Sequence, residues 1–119
     1  MKRAGGAVKW DAVRAEMREL MIGAAQMRRT LTYAELCAAV RSAHLHYHSP
    51  LLTRLLVQIG TAEAGDGRPI LPAVVVTKQT GMPGMGFFKI EGEVQIADPE
   101  AYWRDALEQV YTYWSEHEI

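Results

Sequence analysis

His44-Leu45-His46-Tyr47-His48 sets three imidazoles at alternate positions. In extended backbone, alternate side chains project to one side. Imidazoles gathered this way are donors suited to zinc or nickel. Their ring nitrogens lie along one line, though, and a closed site recruits a distant fourth ligand. The one other histidine is His117, near the C-terminus. The three are therefore read as structural or solvent-facing, and no metal is assigned. Covalent catalysis needs a Ser or Cys beside a His and an orienting acid. Cys37 sits within a helical pattern with no neighbouring His, and Ser49, next to His48, reads as a helix cap. No pair of carboxylates falls in an apolar strand, so no general acid–base pair is signalled. Gly81-Met82-Pro83-Gly84-Met85-Gly86 lacks the Gly-Lys-Ser/Thr ending of a phosphate loop and opens no helix. The expectation is a non-enzymatic protein with no cofactor.

One pair of residues points to recognition. Arg54 and Gln58 lie four apart, on one side of a helix predicted to begin at Pro50. An Arg pairs with guanine edges and a Gln with adenine. Thr53 shares that polar side, and Arg14, Arg18, Arg28, Arg29 and Lys78 are placed to meet phosphate.

These residues need elements to position them. Trp10 to about Arg28 carries Trp10, Val13, Met17, Leu20, Met21 and Ala24 at helical spacing. Leu31 reads as a short extended link. Thr32-Tyr33-Ala34-Glu35 is a capping box that starts a helix running to about Ser42. Ser49-Pro50 starts the third helix, Pro50 to about Ala64, with Leu52, Leu55, Leu56 and Ile59 on its apolar stripe. Ile70 to Thr77 is β-branched and apolar, which reads as a buried strand. The glycine-rich stretch 78–88 reads as a hairpin loop or wing, with 89–96 as the return strand. Asp98-Pro99 starts a last helix, about 99–115, with Trp103, Leu107, Val110 and Trp114 on one stripe. The order is helix, helix, helix, strand, wing, strand, helix. The fold class expected is α+β: a winged-helix-like helical core, a small antiparallel β-wing and an added amphipathic C-terminal helix. In a winged helix-turn-helix the recognition helix enters the major groove and the wing touches the backbone.

Composition sets the limits. The chain has 119 residues, 49% hydrophobic and 23% charged, which suits one folded domain and argues against disorder. Residues 10–119 are expected to form that domain, after a flexible basic start at 1–9. The single cysteine excludes an internal disulfide and a cysteine-based zinc site. No apolar run has the length of a signal peptide or a membrane span, so a cytoplasmic protein is expected. Net charge is −1, unevenly spread. Residues 1–60 carry nine Lys/Arg against four acids, and residues 61–119 carry four against ten. A basic front half can meet phosphate, while the acidic back half repels DNA or attracts a basic partner.

Thr32-Tyr33-Ala34-Glu35-Leu36, the helix from Pro50, Leu71-Pro72-Ala73-Val74-Val75-Val76 and the glycine-rich turn ending Gly86-Phe87 occur in a familiar order. Over about residues 30–88 the chain resembles the winged-helix domain of the O6-alkylguanine-DNA alkyltransferases and alkyltransferase-like proteins. That family shows a Thr-Tyr-Gly-Glu-Leu helix start, a recognition helix and a Pro-Cys-His-Arg-Val strand before a Gly-rich loop. Here Ala73 stands where the family has its alkyl-accepting Cys, and Val74 and Val75 replace the His and Arg after it. The resemblance thus implies a fold and a DNA surface, with Tyr33 matching a DNA-contacting tyrosine, but no alkyl transfer. The base-flipping arginine falls near Pro50 or Leu51, and Arg54, one turn on, is a candidate substitute. The 71–88 run is also similar to small uncharacterised bacterial proteins.

The favoured expectation is duplex DNA binding through helix 50–64 and the 78–88 wing. Its residues are Tyr33, Thr53, Arg54, Gln58 and Lys78, with Arg28 and Arg29 in support. The alternative is a protein-interaction module built on the acidic, aromatic C-terminal helix. It would form a homodimer, or bind a basic partner in the manner of an antitoxin or immunity protein, through Trp103, Val110 and Trp114.

Overall fold

A computed structural model describes residues 8–90 and 96–117. Most of the basic start at 1–9 and of the return strand at 89–96 therefore lies outside the described residues. Helix α1 (Trp10–Gln26) buries Val13, Met17, Met21, Ile22, Ala24 and Ala25, the three-and-four pattern its sequence sets. It stops two residues before Arg28. The Arg29 amide donates to Ala24 O at 2.9 Å and the Arg28 amide to Ala25 O at 3.0 Å. This is the Schellman ending, which puts Arg28 in the left-handed region at φ 52°.

Strand β1 (Leu31–Thr32) leads straight into α2 (Tyr33–Ala39). The capping box forms: the Glu35 amide donates to Thr32 Oγ1 at 3.1 Å, and the Thr32 amide to Glu35 Oε1 at 2.8 Å. Bonds from the Thr32 amide and hydroxyl hold the Glu35 carboxyl below its usual range. Helix α2 ends at Ala39 rather than near Ser42. Glu16 of α1 draws the chain away, accepting from the amides of Arg41 (2.8 Å) and Ser42 (3.0 Å). Ser49 then caps α3 (Pro50–Gly65), its Oγ accepting from the Leu51 amide at 3.1 Å.

The run 70–77 corrects the strand expectation. Ile70 to Val76 are all buried, but Leu71–Val74 is a 3-10 helix and only Val75–Val76 forms a strand, β2. Pro72 has no amide to give to a ladder, so the run coils before it extends. The antiparallel wing is also corrected. Strand β2 pairs in parallel with β1, Leu31 opposite Val75 and Thr32 opposite Val76. After β2 a tight loop closes through the Thr77 amide to Met82 O at 2.8 Å, and Met85–Lys89 forms a second 3-10 helix packed on α3. The molecule is mixed α+β and mostly helical.

Helix α4 (Pro99–Glu116) starts on Asp98, whose Oδ1 accepts from the Ala101 amide at 3.1 Å. It packs on α1 and the first 3-10 helix. Trp103 Nε1 donates to Ala73 O at 2.8 Å. Trp103, Val110, Tyr111 and Trp114 all join the same hydrophobic core as α1 and α3.

Candidate functional site

The start of α2, the loop before α3, one face of α3 and the segment 77–90 enclose a cavity of about 320 Å³. Its floor is apolar: Leu56 and Val57 of α3, Pro72, Phe87 and Ile90. Exposed lining residues form its mouth, among them Tyr47, His48, Lys78 and Met85. Tyr33 and Thr53 add hydroxyls. No carboxylate lies among the described lining residues.

The wall is held by close approach of backbone to side chain. The Gly84 amide donates to the Tyr33 hydroxyl at 2.7 Å. Burial pushes the Tyr33 hydroxyl's pKa up, against the opposing effect of the Gly84 amide. At Gly86 a Cβ would stand 2.6 Å from Thr53 Cγ2, so only glycine lets the second 3-10 helix lie this close to α3.

Of the seven residues expected at a DNA surface, Tyr33, Thr53 and Lys78 meet at this cavity. Arg54 is exposed beside Thr53 on α3, with no carboxylate partner among the described residues. Gln58 is exposed too, but its Oε1 accepts from Arg14 Nη1 at 3.0 Å. Arg14 also pairs with Asp11. Arg28 does not stand ready for phosphate. It pairs with Glu108, and its guanidinium lies 5.1 Å from the Tyr111 ring centre. Arg29 is exposed, with Glu35 near enough to feel its charge.

Arg18 is likewise drawn inward. Glu63 is only 2% exposed and accepts from two guanidinium groups. Arg68 reaches it at 2.9 and 3.0 Å, and Arg18 at 2.9 and 3.3 Å. Burial alone would raise the Glu63 carboxyl, yet the bonds from Arg68 and Arg18 outweigh it and hold the group below its usual value. Arg18 also sits 5.4 Å from the Trp114 ring centre. This triad escapes sequence reading because its members are far apart in the chain and Glu63 sits in an unremarkable helix end. The cavity escapes it too. Its one local signal is Gly84-Met85-Gly86 ahead of Phe87, two small residues that permit close packing.

The histidine series lies in a loop and faces solvent. Residues 44–48 form no strand, and all three imidazoles are exposed. His44 and His46 meet edge-to-face at 5.3 Å, and His48 leans on Tyr47 at 4.0 Å. Among the described residues no three His, Cys, Asp or Glu side chains are grouped to hold a metal. Cys37 is half-buried, and burial pushes its thiol up, away from a reactive thiolate.

The expected contact set for a protein partner is corrected as well. Trp103, Val110 and Trp114 are 6%, 0% and 4% exposed, so they are already used inside the chain. An aromatic stripe on an amphipathic helix points into its own core here, and the acidic residues point outward. Among the described residues no helix is long and apolar enough to cross a membrane. Comparison with family models, curated proteins and solved structures finds no match.

Proposed function

We propose that the chain binds duplex DNA without chemistry of its own, as a mixed α+β, mostly helical protein of the cytoplasm. Helix α3 is the reading element, and the segment 78–88 supports it from the side. The observation that carries this reading is the state of the arginines. Arg14, Arg18, Arg28, Arg68 and Arg104 each have a carboxylate partner; Arg29, Arg41 and Arg54 have no ion pair among the described residues, and of these three only Arg54 lies on α3. The one acid on α3, Glu63, is buried between two guanidinium groups and offers no negative charge to repel a phosphate. A helix in the major groove would set Arg54 against a guanine edge. Gln58 would turn to an adenine only by releasing Arg14, whose guanidinium is then free for a phosphate. Thr53 and Lys78 would meet backbone beside it.

The test is fluorescence anisotropy with a labelled duplex of about two helical turns, across salt from about 50 to 200 mM. Binding is expected at low salt and should weaken steeply as salt rises. Arg54→Ala should weaken it about fivefold or more, in line with about 1–3 kcal/mol for a base-edge pair. No binding at the lowest salt, or an unchanged Arg54→Ala, overturns the reading.

A further inference from the structure

The cavity beside α3 shares Thr53 and Lys78 with the proposed DNA surface, but its apolar floor and the Tyr33 hydroxyl are not used by groove reading. Its volume of about 320 Å³ falls at the lower end of ligand pockets, which run from about 300 to 1,000 Å³. A cavity of about 150 Å³ admits one benzene, so this one has room for two fused rings. The lining offers aromatic faces from Tyr33, Tyr47 and Phe87 over an aliphatic floor. Aromatic walls favour a flat aromatic guest, stacked or edge-on. Tyr47 and Met85, at the mouth, leave 52% and 75% of their surface in water, apolar area that a guest would cover.

The polar groups point to a negative charge on that guest. Lys78 is the one residue of fixed charge among the described lining residues. The Tyr33 oxygen accepts from the Gly84 amide, and its own O–H proton has no acceptor among the described residues. Thr53 adds a hydroxyl to the lining. An ammonium and hydroxyl donors around an apolar floor match a carboxylate on a ring system. Elsewhere on the surface the balance is reversed: the groove along α4 is lined by Asp105, Glu108 and Glu116 against one cation, Arg68, which already pairs with Glu63 and Asp66.

We propose that this cavity is a binding site for a small planar aromatic carboxylate, its rings on the floor formed by Leu56, Val57 and Phe87 and its carboxylate held by Lys78 and the Tyr33 hydroxyl. The site does not depend on DNA binding by α3.

The experiment is calorimetric titration of the full chain with 2-naphthoate, alongside 2-naphthylmethanol as a neutral isostere and guanosine monophosphate as a nucleotide. Naphthoate should bind with a dissociation constant of about 0.1–1 mM, the range set by its size. Naphthylmethanol should bind at least about fivefold more weakly. Lys78→Ala should weaken naphthoate about tenfold and Lys78→Arg should restore it, with unchanged circular dichroism showing that both variants fold. Tyr33→Phe should weaken it about threefold. Arg54→Ala lies outside the cavity lining, so it should leave naphthoate binding unchanged while it weakens duplex binding. The proposal is overturned by no naphthoate binding up to several millimolar, by equal binding of the neutral isostere, by an unaffected Lys78→Ala, or by tighter binding of the nucleotide.

Discussion

The side of the molecule where α1 meets α4 and the side where α3 meets the second 3-10 helix treat their cations in opposite ways. Along α1 and α4, Arg18, Arg28 and Arg104 each combine a carboxylate with an aromatic face: Glu63 and Trp114, Glu108 and Tyr111, Glu100 and Trp103. At the cavity, Lys78 and the neighbouring Arg54 have no carboxylate partner among the described residues, and the mouth carries uncovered apolar surface. Arg18 and Arg28 tie separate elements together, while Arg104 pairs within α4. Lys78 and Arg54 leave their charge exposed to water. The contrast separates arginines tied to carboxylates within the chain from those whose charge faces water, a division the charge asymmetry of the two halves of the sequence does not give.

Substitutions can break that contrast, the Glu63 triad most strongly. Glu63→Ala leaves two partly buried guanidinium groups without their shared acceptor. A loss of about 3 kcal/mol is expected, at the low end for a broken buried pair because Arg18 and Arg68 keep 30% and 25% of their surface in water. For a chain of this size that is roughly 10 °C in melting temperature, read by circular dichroism. A fall below about 2 °C would show that the paired side does not hold the fold.

Acid acts on the same triad, more weakly. The folded-state pKa of Glu63 is depressed, so its stabilisation is full above the unfolded value of about 4.3 and is lost as pH falls through the folded value. Wild-type melting temperature should therefore drop between about pH 5 and pH 3, and Glu63→Gln should start lower and fall less steeply. Parallel pH curves for the two proteins would remove Glu63 from the acid response.

A finer comparison lies in two helix ends. Helices α1 and α3 both close with the Schellman pattern, α3 through Gly67 at φ 76° and α1 through Arg28 at φ 52°. Glycine takes that conformation freely, while an arginine strains against it. Arg28→Ala keeps the strain and loses Glu108 and Tyr111, a cost of about 1 kcal/mol. Arg28→Gly loses the same contacts but relieves the strain, and should lie within about 0.5 kcal/mol of wild type. Urea unfolding of the two variants reads the difference, and equal losses would mean that the left-handed turn carries no strain. The smallest effect on stability is expected on the open side. Lys78→Ala and Arg54→Ala should each shift the melting temperature by about 1 °C or less, as exposed residues do. A large shift would turn them into structural residues.

Some of this is legible in the sequence. Thr32 with Glu35, Ser49-Pro50 and Asp98-Pro99 each start the helix they signal, because a cap is settled within four residues. The burial of 70–76 was legible in its composition, but its conformation was not. Whether an apolar run coils or extends depends on Pro72 and on a strand partner more than forty residues away. The terminal helix shows the same limit: Trp103, Val110 and Trp114 are a stripe in either environment, and packing on α1 decides that they face inward. Of the residues expected at a DNA surface, Tyr33, Thr53 and Lys78 converge on the cavity, although the cavity itself has no sequence signal beyond Gly84-Met85-Gly86, being formed by several segments at once.

The ladder between Leu31–Thr32 and Val75–Val76 is two residues long on each side, yet it ties the chain's first third to its second. Everything between those strands, α2 and α3 included, forms one closed loop of more than forty residues. A nascent chain released after α3 would carry β1 without its mate and α1 without α4. Neither half is a rehearsal for the whole, so assembly waits on distant segments finding each other, and the open cavity exists only once that search has ended.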